Sequence, residues 1–470
     1  MSAPQHESRA REHAPGVLVA ALSSAFGVAL VQGTGLLDAA LRADAVTGDS
    51  DTVAELLRIT SVVLIAVAVY SGAIVTVNTF SVIVAGRVRA IALRRLLGST
   101  ARAERGAVAR EGLLVGAVGS GVGLVVGSAA VAGIAATARE VGLLDAVPYS
   151  YANPQALLPA VAVALTTWLA AVIGSRRVLS VTPMQALGGA EEESEEESRS
   201  NRVRNGAAAA LVVAGGALLA GGVALGSSSF SGLFVAFTGG VVSFTGVVLG
   251  AHLVIPRALR LAGLLMGAAP TSRLAAENAV RYPQRSTRST LGLLVSVTLI
   301  TTFGVATRTF GDMIEVAAGA DPVYYAGIET MLTTVTAVFS VLIGFSAVIA
   351  GVGLVNSLSL GVLQRTRELG LLRALGFTTR QLRRMVLAES GQLVLTAVAL
   401  GLLLGTVYGW AGAHSLVGAA RGVPGLLFLG VPWPLVAVVV AGGVLLTLLA
   451  SVLPSRRATR VAPVEALGVE

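Results

Sequence analysis

The sequence contains no lysine and no cysteine, and few of its residues are charged. Each absence excludes something. Without cysteine there are no disulfides and no thiolate metal sites. Without lysine there is no phosphate-cradling G-x-x-x-x-G-K-[ST] loop, so the chain is not itself a P-loop ATPase and is read as a non-enzyme. All 34 basic residues are arginine, and abundant Ala, Gly and Val alongside them suggest a GC-rich bacterial genome. Charged residues make up 13% of the chain, about half the share usual in soluble domains. Ionisable groups are nearly missing from the long apolar runs, and Thr330 to Gln364 carries no charge at all. Proton-coupled carriers place acidic residues or histidine at such depths, which argues against an ion- or proton-driven carrier. His252, at a span end, reads as an interfacial residue.

What is present is hydrophobicity, at 54% of residues. Runs of roughly 20 apolar residues, enough to cross a bilayer, recur along the chain. The expected class is an all-α polytopic membrane protein with ten spans, at about 16–37, 59–84, 112–136, 155–174, 206–226, 231–254, 289–307, 330–360, 391–412 and 432–453. The segment up to Ala14 is polar and the run that follows is long enough to remain a span, so no cleavable leader is expected. With the N-terminus inside, about 29 arginines face the cytoplasm and five (Arg42, Arg58, Arg139, Arg308, Arg421) face outward. The positive-inside rule therefore puts both termini in the cytoplasm of a plasma-membrane protein. The net charge of +8 reflects topology, not nucleic-acid binding.

The chain repeats itself. "NTFSVIVAGRVRAIALRRLLGSTARAERGAVARE" from Asn78 and "NSLSLGVLQRTRELGLLRALGFTTRQLRRMVLAE" from Asn356 align without a gap, with 14 of 34 positions identical. Arg87, Arg89, Arg95 and Gly98 match Arg365, Arg367, Arg373 and Gly376. "SRRVLSVTPMQALG" from Ser175 echoes "SRRATRVAPVEALG" from Ser455. The expected organisation is a four-span half over 1–187, an acidic linker over 188–205, two central spans and an interfacial segment over 206–285, and a second four-span half over 286–470. Both halves have the same orientation, so the repeat is parallel. The arginine-rich stretch 256–290, punctuated by Pro256, Pro270 and Pro283, is expected to lie along the inner membrane surface.

The duplicated stretch mixes arginine with leucine at helical spacing, and Gly370 and Gly376 predict a bent pair of short helices. Lipid anchoring is the plain reading. A docking surface for a cytoplasmic partner is the sharper one, because an anchor need not preserve Arg, Gly, Thr and Glu at fixed spacing. "GAVGSGVGLVVG" (116–127) resembles a nucleotide loop but lies in a span, where Gly112/Gly116 and Gly123/Gly127 read as close helix packing. Glu111 and Glu389, where a basic helix enters a span, read as structural. Aromatics in "VPYSYANP" and "VPWPL" read as an outer interfacial belt.

"RTRELGLLRALG" followed by "LAESGQL", with "SRRATRVAPVEAL" and "SRLAAENAVRYPQRSTRSTLGLL", resembles the FtsX-like permease signature of MacB-type (type VII) ABC transporters. The ten-span layout is similar to permeases of the antimicrobial-peptide resistance group. The resemblance implies an ABC ATPase subunit as partner, dimeric in the assembly, with ATP and magnesium held there and no cofactor on this chain. It implies that Arg365, Arg367, Glu368, Leu371, Arg373 and Gly376 belong to the element coupling the two, with Arg87, Arg89, Arg95 and Gly98 as first-half counterparts. Membrane lipids, a second permease and a sensor kinase are further candidate partners. Ala90 stands where the second copy has Glu368, and Ala92 replaces Gly370. The outer loops after the first and seventh spans, Asp38–Arg58 and Arg308–Glu329, are short, where many family members carry a large domain. The expected function is export or membrane extraction of an amphiphile such as a peptide antibiotic or lipid. The alternative is a mechanotransmitting permease that controls an extracellular enzyme or sensor kinase.

Overall fold

In a computed structural model the chain forms long helices, and there is no strand among the described residues. The described residues are 3–43, scattered helical positions within 62–77 and 93–96, 97–140, 150, 153–175, 202–229, 231–265, 277, 283–320, 376–417 and 429–458. The helices are α1 (Ala3–Ala43), α2 (Ala101–Glu140), α3 (Leu157–Gly174), α4 (Arg202–Gly226), α5 (Gly232–Leu265), α6 (Pro283–Ala320), α7 (Thr379–Val417) and α8 (Trp433–Ala458). Seven of them are long and apolar enough to cross a membrane, and α8 carries a shorter apolar stretch, Trp433–Leu445. These eight fall on eight of the ten expected spans. The second expected span is represented by helical positions such as Val63, Tyr70 and Ile74. The eighth, 330–360, and residues 188–201 of the linker lie outside the described residues; the linker's expected last four residues, 202–205, instead open α4.

Nearly a residue in eight is glycine, a poor helix former in water. In an apolar medium every backbone N–H and C=O must still be satisfied internally, so the helix persists. The glycines then set how closely helices approach. A side chain at Gly112 would collide with Ala171 of α3, and one at Gly116 would lie 2.9 Å from the Ala164 carbonyl. Gly119, Gly123 and Gly127 point the other way, onto α1, where a Cβ would reach Ala20 Cβ at 2.6 Å, Ser24 Cβ at 2.6 Å and the Ala25 carbonyl at 2.6 Å. So α2 carries two small-residue seams, one per neighbour, as the small-xxx-small reading expects. Gly401 and Gly405 of α7 stand in the second copy where Gly123 and Gly127 stand in the first, and they pack in the same way on Val297, Thr298 and Thr301 of α6. Helices α1–α2–α3 and α6–α7–α8 are thus joined in the same order.

Polar side chains reinforce the α1–α2 seam. Ser24 donates to the Ser120 carbonyl at 2.9 Å, and Gln32 donates to Ser128 Oγ at 2.9 Å. Interhelical hydrogen bonds of this kind hold spans together where no hydrophobic force distinguishes helix from lipid.

Between the halves, α4 and α5 form an antiparallel hairpin with small residues every seventh position. Gly215 meets Ser243, Gly222 meets Ala236, Gly239 meets Leu219 and Gly246 meets Val212, each too close for a side chain on the glycine. The serine-rich turn between them closes on itself, Ser227 and Ser228 donating back to the Ala224 and Leu225 carbonyls. The expected break at Pro256 is corrected here. Helix α5 runs through Pro256 to Leu265, because Ile255 and Leu259 are buried against Leu291 and Leu294 of α6 and Leu393 of α7. That packing outweighs the one backbone hydrogen bond that proline removes.

Helices α1 and α6 are the most enclosed, with 72% and 67% of their apolar windows buried against 28–44% for the other spans. They meet at Phe244 of α5, which packs with Val19 of α1 and Val295 of α6. Tyr70, from the second span, donates to the Val241 carbonyl at 3.1 Å and lies 2.7 Å from Thr245 Oγ1. Tyr408 of α7 lies 3.0 Å from Ser243 Oγ. Both tyrosine rings meet Phe244 edge-on, at 6.4 and 6.2 Å.

Candidate functional site

The parallel contacts of α1 with α2 and of α6 with α7, and the antiparallel α4–α5 pair, bring the arginine-bearing helix ends to one end of the bundle. There α2 presents Arg102 and Arg110, α7 presents Arg380, Arg383 and Arg384, and α5 presents Arg260, all exposed. His252 belongs to this end. It is half-buried and its Nε2 lies 3.0 Å from Asn205 Oδ1 at the start of α4, a helix-end contact.

Each of α2 and α7 begins at an elbow. Gly98 has φ 102 and Gly376 has φ 97, and among the described residues these are the two with a left-handed backbone. An L side chain there brings Cβ against the carbonyl, so glycine suits the turn. Two residues later each copy has a threonine that caps the new helix. Thr100 Oγ1 accepts the Ala103 N–H at 3.2 Å. Thr378 Oγ1 accepts the Gln381 N–H at 3.3 Å, and Gln381 Oε1 accepts the Thr378 N–H at 2.8 Å, a reciprocal capping box. Gly376 is therefore a turn at the start of α7, as is its first-half counterpart Gly98 before α2; the residues before Gly376 that would form the first of the expected pair of short helices lie outside the described residues. Gly370 lies outside the described residues.

The elbows differ in what braces them. Position 103 is alanine and cannot return a bond. Instead Glu104 accepts a hydrogen bond from Ser99 Oγ at 2.8 Å and pairs with Arg94 across the turn at 3.5 Å. Glu104 is only 6% exposed. In the second copy the matching residue is Leu382, 4% exposed, three and four residues before the equally buried Met385 and Val386. Ahead of the first elbow, Leu93, Leu96 and Leu97 are exposed, Leu97 by 82%. Glu111 and Glu389 occupy equal positions one span-turn on, both half-buried.

Of the residues expected to couple to a partner, Gly98 and Gly376 are placed, at the two elbows. Arg87, Arg89, Arg95, Arg365, Arg367, Glu368, Leu371 and Arg373 lie outside the described residues. Among those described, no cluster of His, Cys, Asp and Glu could hold a metal. The brace through Arg94, Ser99 and Glu104 is what sequence reasoning missed. A lone glutamate in a basic stretch, replaced by leucine in the other copy, was the available signal.

At the opposite end, the segment before α8 docks onto α6. Gly430 N–H donates to Thr309 Oγ1 at 3.1 Å, beside the Arg308–Asp312 ion pair at 3.0 Å. Trp433, the aromatic of "VPWPL", is 72% exposed there, in keeping with a belt residue.

Comparison with known proteins agrees with this duplication. The model of the FtsX-like permease C-terminal family matches twice, over residues 62–183 and 340–463. Each match holds one elbow. The chain is 36% identical over 149 residues to the uncharacterized ABC transporter permease YknZ of Bacillus subtilis, covering 31% of this chain and 34% of that protein. It is 33% identical over 137 residues to the macrolide export ATP-binding/permease protein MacB of Rhodopirellula baltica, covering 29% of this chain and 19% of that protein. It is 29% identical over 133 residues to the ABC transporter permease YtrF of Bacillus subtilis, covering 26% of this chain and 30% of that protein. The matched region thus spans about a third or less of these relatives. Two family matches cover just over half the chain, and with the apolar helices they identify a membrane protein that belongs to the FtsX-like permease family of ABC transporter permeases.

Proposed function

We propose that this chain is the permease subunit through which a separate ABC ATPase, acting as a dimer, drives export or membrane extraction of an amphiphile, a peptide antibiotic, lipid or drug-like molecule. The observation that carries the reading is the pair of matching elbows. In each, a left-handed glycine stands between a stretch that is basic and leucine-bearing in sequence and a capped, membrane-crossing helix. A push on the arm passes into a helix without slack, because the cap satisfies the helix's first N–H groups and holds its first turn. Two such arms on one chain suit a partner that presents two copies of one surface. ATP and magnesium belong to that partner, since this chain has no lysine for a P-loop.

The two elbows lie at the arginine-rich end, which the positive-inside rule assigns to the cytoplasm along with both termini. In this reading the four-span halves are 1–187 and 286–470, related by an axis along the membrane normal. Residues 188–205 link the first half to the central hairpin region, 206–285. Short outer loops favour a substrate taken from the membrane over one handed along an extracellular arm.

The test is a purified complex with its co-purifying ATPase. Glu368→Lys or Arg373→Glu is expected to abolish substrate-stimulated ATP hydrolysis while the chain still inserts; unchanged stimulation in both defeats the docking assignment. In liposomes, ATP-dependent movement of an amphiphile supports transport. Activation of a partner enzyme or kinase without flux supports the mechanotransmitting alternative.

A further inference from the structure

We propose that Glu104 is a positioning residue, and that Arg94, Ser99 and Glu104 form an interchangeable lock that sets the angle of the first arm. The proposal rests on the docking reading above and concerns how one of its two arms is aimed. Arg94 and Ser99 flank Gly98, where a side chain would meet nothing within 4 Å, and the Ser99 N–H closes the turn on the Arg94 carbonyl at 3.0 Å. Side chains add a second tie across the same turn. The Glu104 carboxylate reaches back over the turn to both sides of it, to Ser99 at 2.8 Å and Arg94 at 3.5 Å. A carboxylate 6% exposed is costly to hold unless it is paired, and it sits in the first turn of α2, where the helix end favours negative charge. Loss of one partner would leave one carboxylate oxygen buried without its bond.

The internal repeat supplies an independent observation. The positions equivalent to 94, 99 and 104 are 372, 377 and 382, and they hold Leu, Phe and Leu. All three members of the polar contact change together to apolar residues, while the flanking Gly and Thr stay the same. Leu382 is buried and Phe377 half-buried; Leu372 is placed by sequence register alone. A set of touching residues that changes as a whole behaves as one unit with two chemical solutions. One elbow is held by charge and hydrogen bonding, the other by apolar burial and the Thr378–Gln381 box. The two arms of one permease then differ in how they respond to salt. An ion pair with a half-exposed arginine is screened, and burial of leucine is not.

The test uses the full chain in nanodiscs. The sequence has no cysteine, so spin labels at Leu93→Cys and Arg110→Cys report the arm-to-α2 distance without background. Glu104→Leu is expected to broaden that distance distribution, and Arg94→Leu/Ser99→Phe/Glu104→Leu to narrow it again. With the co-purifying ATPase returned at graded concentration, Glu104→Leu is expected to raise the half-stimulating concentration roughly tenfold, the loss of a charge-assisted hydrogen bond. Maximal turnover should stay within about twofold, and the triple variant should recover most of the affinity. Glu104→Gln, which keeps an acceptor for Ser99, is expected to fall between and serves if Glu104→Leu does not insert. Raising salt should mimic Glu104→Gln in the natural chain and leave the triple variant unmoved. A distance distribution unchanged by Glu104→Leu overturns the lock, as does a triple variant no better than the single one. Arg367→Glu in the second arm separates the two claims: if it leaves stimulation intact, the docking reading fails while the spin-label result still judges the lock.

Discussion

At residues 98 and 376 the backbone lies at φ 102 and 97 with no atom within 4 Å of where a Cβ would stand. The demand for glycine is therefore conformational and not one of space. Alanine at Gly376 should cost about 1–2 kcal/mol, and asparagine, which tolerates the left-handed region, should cost less. Partner-stimulated ATP hydrolysis across Gly376→Asn, Gly376→Ala and Gly376→Val is expected to fall in that order, with chain yield unchanged. An equal effect from all three would show that the turn does not matter to coupling. The alignment of the two copies made these glycines legible as a pair. It could not show that Glu104 folds back over the turn to reach Arg94, because burial of that carboxylate depends on what packs around it.

At the scale of the helix, glycines that are close in sequence have opposite fates. A side chain at Gly123 would meet the Ala21 carbonyl and the Ser24 side chain of α1, and one at Gly121 meets nothing within 4 Å. Gly123→Val should destabilise the chain by about 1–3 kcal/mol through overpacking, whereas Gly121→Val should be nearly silent, as read from thermal unfolding in detergent. The same contrast is expected between Gly215, which faces Ser243, and Gly216, which faces open space. The small-xxx-small pattern in α2 was readable because its four-residue step stands out. The seven-residue step of Ala208, Gly215 and Gly222 against Gly232, Gly239 and Gly246 was equally present but hidden among 56 glycines. Proline misled in the other direction. Pro256 reads as a helix end, yet α5 continues through it because its far side is buried against α6 and α7.

For the whole molecule, Phe244 is one of the points where the central hairpin meets helices from both ends of the chain. Val19, Val295, Tyr70 and Tyr408 reach it from four different helices. Phe244→Ala should cost about 3–5 kcal/mol and lower the unfolding temperature more than the same change at exposed Phe234. Orientation is checked on the natural cysteine-free background. Ser228→Cys, in the turn between α4 and α5, should react with an impermeant maleimide from outside intact cells. Labelling from the cytoplasmic side only would invert the topology.

Counts, spacing and self-similarity along the chain were enough to establish that it crosses a membrane, that it is built from a duplicated unit, which ends of its helices carry arginine, and that it cannot hold a P-loop. Those properties hold whatever each residue's neighbours turn out to be. Packing in three dimensions was needed for the rest: which seam of α2 faces α1 and which faces α3, how far α5 extends, that Phe244 sits between the halves, and that one elbow is braced by a buried carboxylate. In water, hydrophobic periodicity tells a helix's inside from its outside. In a membrane both lipid and protein are apolar, so the pattern reports depth and length and leaves the choice of partner to packing.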